Sequence, residues 1–344
     1  MTTAQPNDKE MRPLLEWLLR QYPDTPKTRA KQWIAAGRVS VNGEIIRLPH
    51  QLLSDPADSL ELLDRRATVL ECGPAGWQIH PRVTLLHMDA ALAVVNKGPG
   101  LLAIPAEDTD VSALGILADF LAGDVRANTR GPDGRGRSLP PAYRRLRPLP
   151  VHRLDQHTSG IFCMAMNPTA RRHLIAQLQN HTMRREYVAY VEGRPTLPKG
   201  TWRNWLKLRD DELRQFVITD AEAKLAGDAA IEAITHYEVL TEFPLAGGAG
   251  VVSKLRFRLE TGRKHQIRAQ AAYAGLPLVG DRVYNRKYRE NTPATSRIEF
   301  PRQALHAAVL SLEHPAPPNT RMTWTAALPQ DMLKLEALFR TGRI

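Results

Sequence analysis

The stretch that most constrains this chain is Ile161-Phe162-Cys163-Met164-Ala165-Met166, an uninterrupted apolar run that follows a dense polar cluster. A short apolar run bounded by turn residues reads as a buried strand. The cluster Val151-His152-Arg153-Leu154-Asp155-Gln156-His157-Thr158-Ser159-Gly160 therefore sits at the mouth of that strand. It brings a carboxylate, imidazoles and a guanidinium into a few residues. Catalytic residues are often carried on loops held by a rigid strand. Local chemistry equally admits a structural ion pair between Arg153 and Asp155 beside a turn, since this spacing is neither a metal-ligand nor a triad pattern.

The 344-residue chain is long enough for two domains and a sizeable core. A net charge of +11 and an isoelectric point near 9.9 favour a polyanionic partner, most simply nucleic acid. A generally basic surface without a specific partner is the plainer alternative. Cys72 and Cys163 lie far apart, which excludes a disulfide framework or a cysteine-rich zinc site and fits a reducing compartment. No apolar run reaches membrane-spanning length, and Met1 to Glu10 has no signal-like apolar core. The expected location is cytoplasmic. No metal-ligand spacing occurs, and no repeat of solenoid period.

Residues 11–66 read as a small first domain. Leu14, Leu15, Leu18 and Leu19 recur at helical spacing, which predicts an amphipathic helix from Pro13 to Arg20. A second helix is expected from Thr25 as N-cap, with Pro26 at its first position, a buried stripe of Ala30, Trp33 and Ile34, and Gly37 as its end. Asn42-Gly43 then predicts a hairpin between Arg38–Val41 and Glu44–Arg47. Arg20, Lys27, Arg29, Lys31, Arg38 and Arg47 crowd the polar face. Such cations can be a solvated face or a phosphate-binding one.

Residues 67–83 read as a linker with an edge strand around Trp77, and 84–335 as the main domain. Leu85 to Asn96 is largely apolar and ends at Lys97-Gly98-Pro99-Gly100; Lys97 reads either as a phosphate contact or as a turn lysine in water. A helix is expected over Ala113–Leu121. Between Arg126 and Arg153 lie Arg126, Arg130, Arg135, Arg137, Arg144, Arg145, Arg147 and Arg153 against the single acid Asp133. That composition builds no core, so 126–150 is expected to be a cationic loop, either closing over a polyanion or a plain insertion. Asn167-Pro168 caps a helix with Leu174, Ile175 and Leu178 on its buried face. Arg184–Gly193 alternates as a strand, and Leu255–Glu260 also reads as a strand. Residues 194–235 look turn-rich and carry little pattern.

Three blocks resemble one family. His152-Arg153-Leu154-Asp155, followed after two residues by Thr158-Ser159-Gly160, is similar to the signature of the RluA-type RNA pseudouridine synthases. Arg184-Arg185-Glu186-Tyr187 resembles the family's second motif. Thr261-Gly262-Arg263-Lys264-His265-Gln266-Ile267-Arg268, continuing through Gly275, Pro277, Gly280 and Asp281, resembles the third. Where the family commonly has histidine two residues after the arginine, Gln270 stands, and altered local hydrogen bonding is expected there. Leu305-His306-Ala307 resembles part of the closing strands, with His306 as a structural residue. The first domain, with its Pro-Lys-Thr-Arg helix and Gly-Arg-Val-Ser-Val-Asn-Gly hairpin, resembles the S-four type RNA-binding module, which grips folded RNA through phosphates.

The resemblance implies an α+β fold: a mixed, mainly antiparallel sheet for the catalytic domain, and a small N-terminal α/β RNA-binding domain. It implies isomerisation of uridine in structured RNA, without cofactor or metal, by a monomer. Asp155 would be the catalytic carboxylate, paired with Arg268, and Tyr187 would lie in the active site. Arg153 would fill the space left by a flipped base, Ile267 would contact the inserted base, and Arg263, Lys27, Arg29, Lys31 and Arg38 would bind RNA. Attack on the sugar, attack on the base and elimination to a glycal are all compatible with these residues. Large-subunit ribosomal RNA is the expected substrate and transfer RNA the runner-up. Two rivals are a non-catalytic RNA-binding or ribosome-assembly protein and a glycoside hydrolase; the latter normally needs a second carboxylate, and none stands out beside the motif.

Overall fold

The computed structural model describes residues 11–35, 38–41, 44–46, 48–54, 60–62, 70, 72, 75–107, 109–123, 143–144, 146–208, 214–248, 250–289, 298–316 and 319–342. Gly37, Asn42-Gly43, Arg47 and most of the arginine-rich segment, including Arg126, Arg130, Arg135, Arg137 and Arg145, lie outside them.

The N-terminal unit runs β1 (Met11–Pro13), α1 (Leu14–Gln21), α2 (Lys27–Ala35), β2 (Val39–Val41), β3 (Glu44–Ile45), β4 (Leu52–Ser54) and β5 (Leu60–Leu62). Leu14, Leu18, Ala30 and Ile34 are fully buried and join Val39 and Val41 in one core. Pairing of Val41 with Glu44 and of Ser40 with Ile45 gives the expected hairpin, and β5 covers the other edge of β2. Trp33 is only half-buried. Arg29 and Arg38 lie over its ring at 5.9 and 5.4 Å, and Tyr22 meets its edge.

Among the described residues, the strands from Trp77 onward form one twelve-stranded sheet. Its elements are β6 (Trp77–His80), β7 (Val83–Met88), β8 (Leu92–Lys97), α3 (Ala113–Ala122), β9 (Leu149–Pro150), β10 (Ser159–Ala165), α4 (Pro168–Gln179) and β11 (Arg184–Glu192). There follow β12 (Lys199–Leu208), β13 (Gln215–Ile218), α5 (Asp220–Ala226), β14 (Ala230–Pro244), β15 (Val251–Leu259), α6 (Gln266–Tyr273), α7 (Arg286–Arg289), β16 (Leu305–Glu313), β17 (Arg321–Thr325) and α8 (Gln330–Thr341). The strand order is β13-β12-β14-β15-β11-β16-β10-β8-β7-β6, with β17 on β16 and β9 on β10. All pairs are antiparallel except β10 with β16.

β10 is buried at every residue, as its apolar run requires. Asn167 caps α4 by accepting from the Ala170 amide, with Pro168 at the first position. The 194–235 stretch holds more structure than its composition shows. β12 and β13, then α5, fill it, and β14 begins there. β12 does alternate in exposure, but its inward face carries Gly200 and Asn204 beside Trp202 and Leu206, and its other face carries Trp205 beside Lys199, Thr201 and Arg203. The alternation is therefore weak in hydropathy.

The parallel seam explains the glycine of the polar cluster. Ser159 and Gly160 stand opposite His306 and Ala307. Gly160 has φ 119°, and a Cβ there would lie 2.2 Å from the Ala307 carbonyl oxygen. Only glycine fits that approach. Ser159 Oγ meets His306 Nδ1 at 2.9 Å, so His306, buried in the seam, joins the two strands as the structural residue it was expected to be.

Candidate active site

Asp155 lies in the loop between β9 and β10, and two buried cations clamp that loop. Lys97 is completely buried, and its Nζ donates to the carbonyls of Gly98, Leu101 and Gln156 at 2.9–3.0 Å. Lys97 is thus neither a phosphate contact nor a turn lysine in water. It holds the 98–101 turn against the residue that follows Asp155. Burial lowers its pKa to about 7. From the other side Arg302 donates to the His157 carbonyl at 3.1 Å and forks onto Asp331 at 2.7 and 3.1 Å. Both cations saturate carbonyls that a loop pressed into a sheet would otherwise leave without donors.

α6 supplies the partner of Asp155. Arg268 Nη1 lies 2.9 Å from Asp155 Oδ2. Its remaining edge forks onto Asp281, with Nε to Oδ2 at 2.7 Å and Nη2 to Oδ1 at 3.0 Å. Asp281 is fully buried and also accepts from the Val283 and Tyr284 amides. Burial opposes the charge of Arg268, but hydrogen bonding and attraction to Asp281, and then to Asp155, outweigh it and raise its pKa. The guanidinium is therefore a fixed, permanently charged fork that orients the Asp155 carboxylate.

His265 completes this wall. It is the N-cap of α6 in a left-handed conformation, φ 56°, uncommon for a residue with a side chain. Its Nε2 is 3.9 Å from Asp155 Oδ2, and its Nδ1 is 3.1 Å from the Tyr284 hydroxyl. The Tyr284 oxygen accepts from the Gln215 amide at 2.9 Å, and burial holds its phenol up at about 12. Burial pushes His265 down to about 4 even though Asp155 pulls the other way, and the ring is neutral at pH 7.

These groups open into a cleft of about 750 Å³, lined among others by Arg153, Asp155, Tyr187, Arg263, Ile267 and Arg268. Three separated sequence blocks thus meet on one surface. Tyr187 projects from β11 and is 6% exposed; burial raises its pKa, so it presents a neutral phenol. Ile267 is 4% exposed and belongs to the core as well as to the lining. Arg153 is exposed at the rim, and Arg263 anchors its Nε on the Glu232 carbonyl at 3.0 Å. Lys27, Arg29, Lys31 and Arg38 are not cleft residues; they belong to the N-terminal unit, where Lys27, Arg29 and Lys31 are exposed.

The RNA pseudouridylate synthase family matches residues 91–273, and the S4 domain family matches residues 12–58. The chain belongs to the RNA pseudouridylate synthase family. It is an isomerase that makes pseudouridine in RNA and carries an N-terminal RNA-binding domain. It is 31% identical to ribosomal large subunit pseudouridine synthase D of Pseudomonas aeruginosa, over 94% of this chain and 90% of the relative. The enzyme of that name in Escherichia coli K12 is 31% identical, over 94% and 89%. Human RNA pseudouridylate synthase domain containing 4 shares the fold, with TM-score 0.51 and 20% identity, covering 74% of this chain and 92% of the human one.

Sequence reasoning assigned no role to Asp281, Tyr284 or His265. Asp281 stood inside the third block, and its lone carboxylate after Gly280 was the available signal. Gln270, standing where the family commonly has histidine, is completely buried and fully satisfied. Its Oε1 accepts from Thr235 Oγ1 at 2.6 Å, and its Nε2 donates to Asn204 Oδ1 at 2.9 Å and the Ala233 carbonyl at 3.0 Å. It joins α6 to β12 and β14 on the side away from Asp155.

Proposed function

We propose that this enzyme converts a uridine of large-subunit ribosomal RNA to pseudouridine, as a cytoplasmic monomer, with Asp155 as the reacting carboxylate. The observation that carries the reading is the Asp155–Arg268–Asp281 arrangement at the floor of a cleft walled by Tyr187. A half-buried carboxylate, 22% exposed, is held toward open space by a guanidinium that is itself locked by a second, fully buried carboxylate. Such preorganisation serves a group that must meet a substrate in one orientation.

Base flipping brings the uridine into the cleft at a cost of a few kcal/mol. Arg153, at the rim, then takes the vacated position in the stack, Tyr187 and Ile267 contact the inserted base, and Arg263 approaches the backbone. In the route through attack on the sugar, an Asp155 oxygen bonds to C1′ as the C1′–N1 bond breaks and its electron pair leaves with the base. The base turns, C5 bonds to C1′, and Asp155 departs. C5 loses a proton and N1 gains one, so the reaction is balanced without oxidant or reductant. Lys27, Arg29, Lys31 and Arg38 of the N-terminal unit contribute phosphate affinity. The ribosomal substrate follows the names of the relatives; transfer RNA is the second reading.

The test is pseudouridine mapping of total RNA from cells lacking the protein, complemented by wild type or by Asp155→Ala. A ribosomal uridine that regains its modification only with wild type supports the whole reading. Restoration by Asp155→Ala overturns the role of Asp155, and a change confined to transfer RNA replaces the substrate.

A further inference from the structure

β11 places a second buried side chain on the cleft wall, and the chemistry above makes no use of it. Arg185 is two residues before Tyr187, so both project from one face of the strand. It lines the cleft yet is only 7% exposed. Among the described residues it has one hydrogen bond, from Nη2 to the Glu260 carbonyl at 3.3 Å, and its Nε is buried with no acceptor. Among those residues it pairs with no carboxylate.

The neighbours are neutral. Burial lifts the Cys163 thiol to about 12 and pushes the His152 ring down to about 3, and the Tyr187 phenol stays protonated. The nearby acids face elsewhere: Glu186, next in sequence, accepts from Arg184, and the carboxylate of Glu260, from the end of the neighbouring strand, meets His236. The backbone closes around the guanidinium as well. A Cβ on Gly262 would fall 2.4 Å from Arg185 Nη1. Arg268 and Arg302, the other buried arginines of the site, each fork onto an aspartate.

A buried cation without a counter-charge is unfavourable. This one is cradled among neutral groups and lines a cleft that receives a polyanion. We propose that Arg185 is an oxyanion receptor completed by the target nucleotide of the RNA. The proposal rests on the assignment of Asp155 as the reacting group of this cleft. Two oxyanions of that nucleotide share the chemistry. One is a backbone phosphate. The other is the uracil itself: when the C1′–N1 bond breaks, the electron pair stays on the base and spreads onto O2 and O4, and it is used again when C5 bonds to C1′. A guanidinium beside Tyr187 holds that charge while the ring turns.

The experiment uses the full chain with Arg185→Gln and Arg185→Lys, in excess over total RNA from cells lacking the protein. Pseudouridine formation is followed in time, RNA affinity is measured across salt concentrations, and stability by urea unfolding. Arg185→Gln is expected to unfold at the same or higher urea concentration than wild type, because it removes an uncompensated buried charge, while function falls. If the partner is a phosphate, affinity drops and the salt slope falls by about 1, with the rate at saturating enzyme retained. If the partner is the uracil anion, affinity and slope stay and the single-turnover rate falls about 10²–10³-fold. Arg185→Lys recovers part of either loss as a point charge. The proposal is overturned if Arg185→Gln keeps rate and affinity within twofold of wild type. It is equally overturned if both variants lose stability and activity together, which marks a purely structural arginine. Asp155→Ala is the separate control: pseudouridine formed by that variant removes the underlying assignment whatever Arg185 does.

Discussion

The cleft and the N-terminal unit are both cationic, but they hold their charges in opposite ways. Around the cleft, Arg268 in its lining and Lys97 and Arg302 behind the Asp155 loop are buried and fixed by two or more acceptors each. In the N-terminal unit, Lys27, Arg29 and Lys31 stand in water, and Arg29 and Arg38 rest on the face of Trp33. A buried, fixed charge has little freedom left to lose when substrate arrives, so it suits orientation of reacting groups. An exposed charge is screened by salt and individually weak, so it suits additive, sequence-independent grip. Cleft substitutions should therefore act on rate and folding, and N-terminal ones on affinity and salt dependence.

Asp281→Asn puts this division under the most severe strain. It leaves the buried Arg268 fork half unpaired, and the expected loss is about 3–5 kcal/mol of stability together with most of the single-turnover rate. Urea unfolding and a time course of pseudouridine formation check both, and a variant as stable as wild type would remove the account of the fork. Next comes Gly160→Ala. The glycine-only conformation alone is worth about 1–3 kcal/mol, and contact with Ala307 adds to it. Unfolding should occur at lower urea, with the parallel seam disturbed. A third measurement concerns the other region. Lys27→Ala, Arg29→Ala and Lys31→Ala combined should weaken RNA binding and reduce the salt slope by about 1 for each phosphate no longer neutralised, while the rate at saturation stays the same. A fall in that rate with unchanged binding would erase the distinction between the two regions.

A further test of the buried charges is a pH dependence at Lys97. Its folded pKa is about 7 against an ordinary 10.5, so the unfolded chain binds the extra proton between those values. Stability relative to Lys97→Met should therefore rise with pH across that window and show no such slope below it. Unfolding of both proteins at pH 7 and 10 is the check, and parallel pH profiles would show that burial leaves the lysine untouched.

The sequence disclosed what local chemistry controls. The apolar run of β10, the Asn167-Pro168 cap and the hairpin strands around Asn42-Gly43 are all decided within a few residues. Weak alternation hid β12, since Gly200 and Asn204 sit on its inward face and Trp205 on the other. Other features depend on partners distant in the chain. Lys97 is buried because the Gln156 carbonyl, far along the sequence, comes back to meet it. The fork of Arg268 needs Asp281, and the hydrogen bond of His265 needs Tyr284. Resemblance brought Asp155, Tyr187 and Arg268 to one site in advance. It said nothing of what holds each of them still.

The single parallel seam also sets a timetable. β10, which follows the Asp155 loop, finds its partner in β16, and the Ser159–His306 contact spans 147 residues. Until that late strand leaves the ribosome, the start of β10 at Ser159 and Gly160 has no neighbour on that side, and Arg302 is absent from the loop. Contacts so far apart in the chain form slowly and late. A nascent or prematurely ended chain can therefore build its N-terminal RNA grip well before it owns a reactive centre. Translation itself delays the chemistry until the polypeptide is nearly complete.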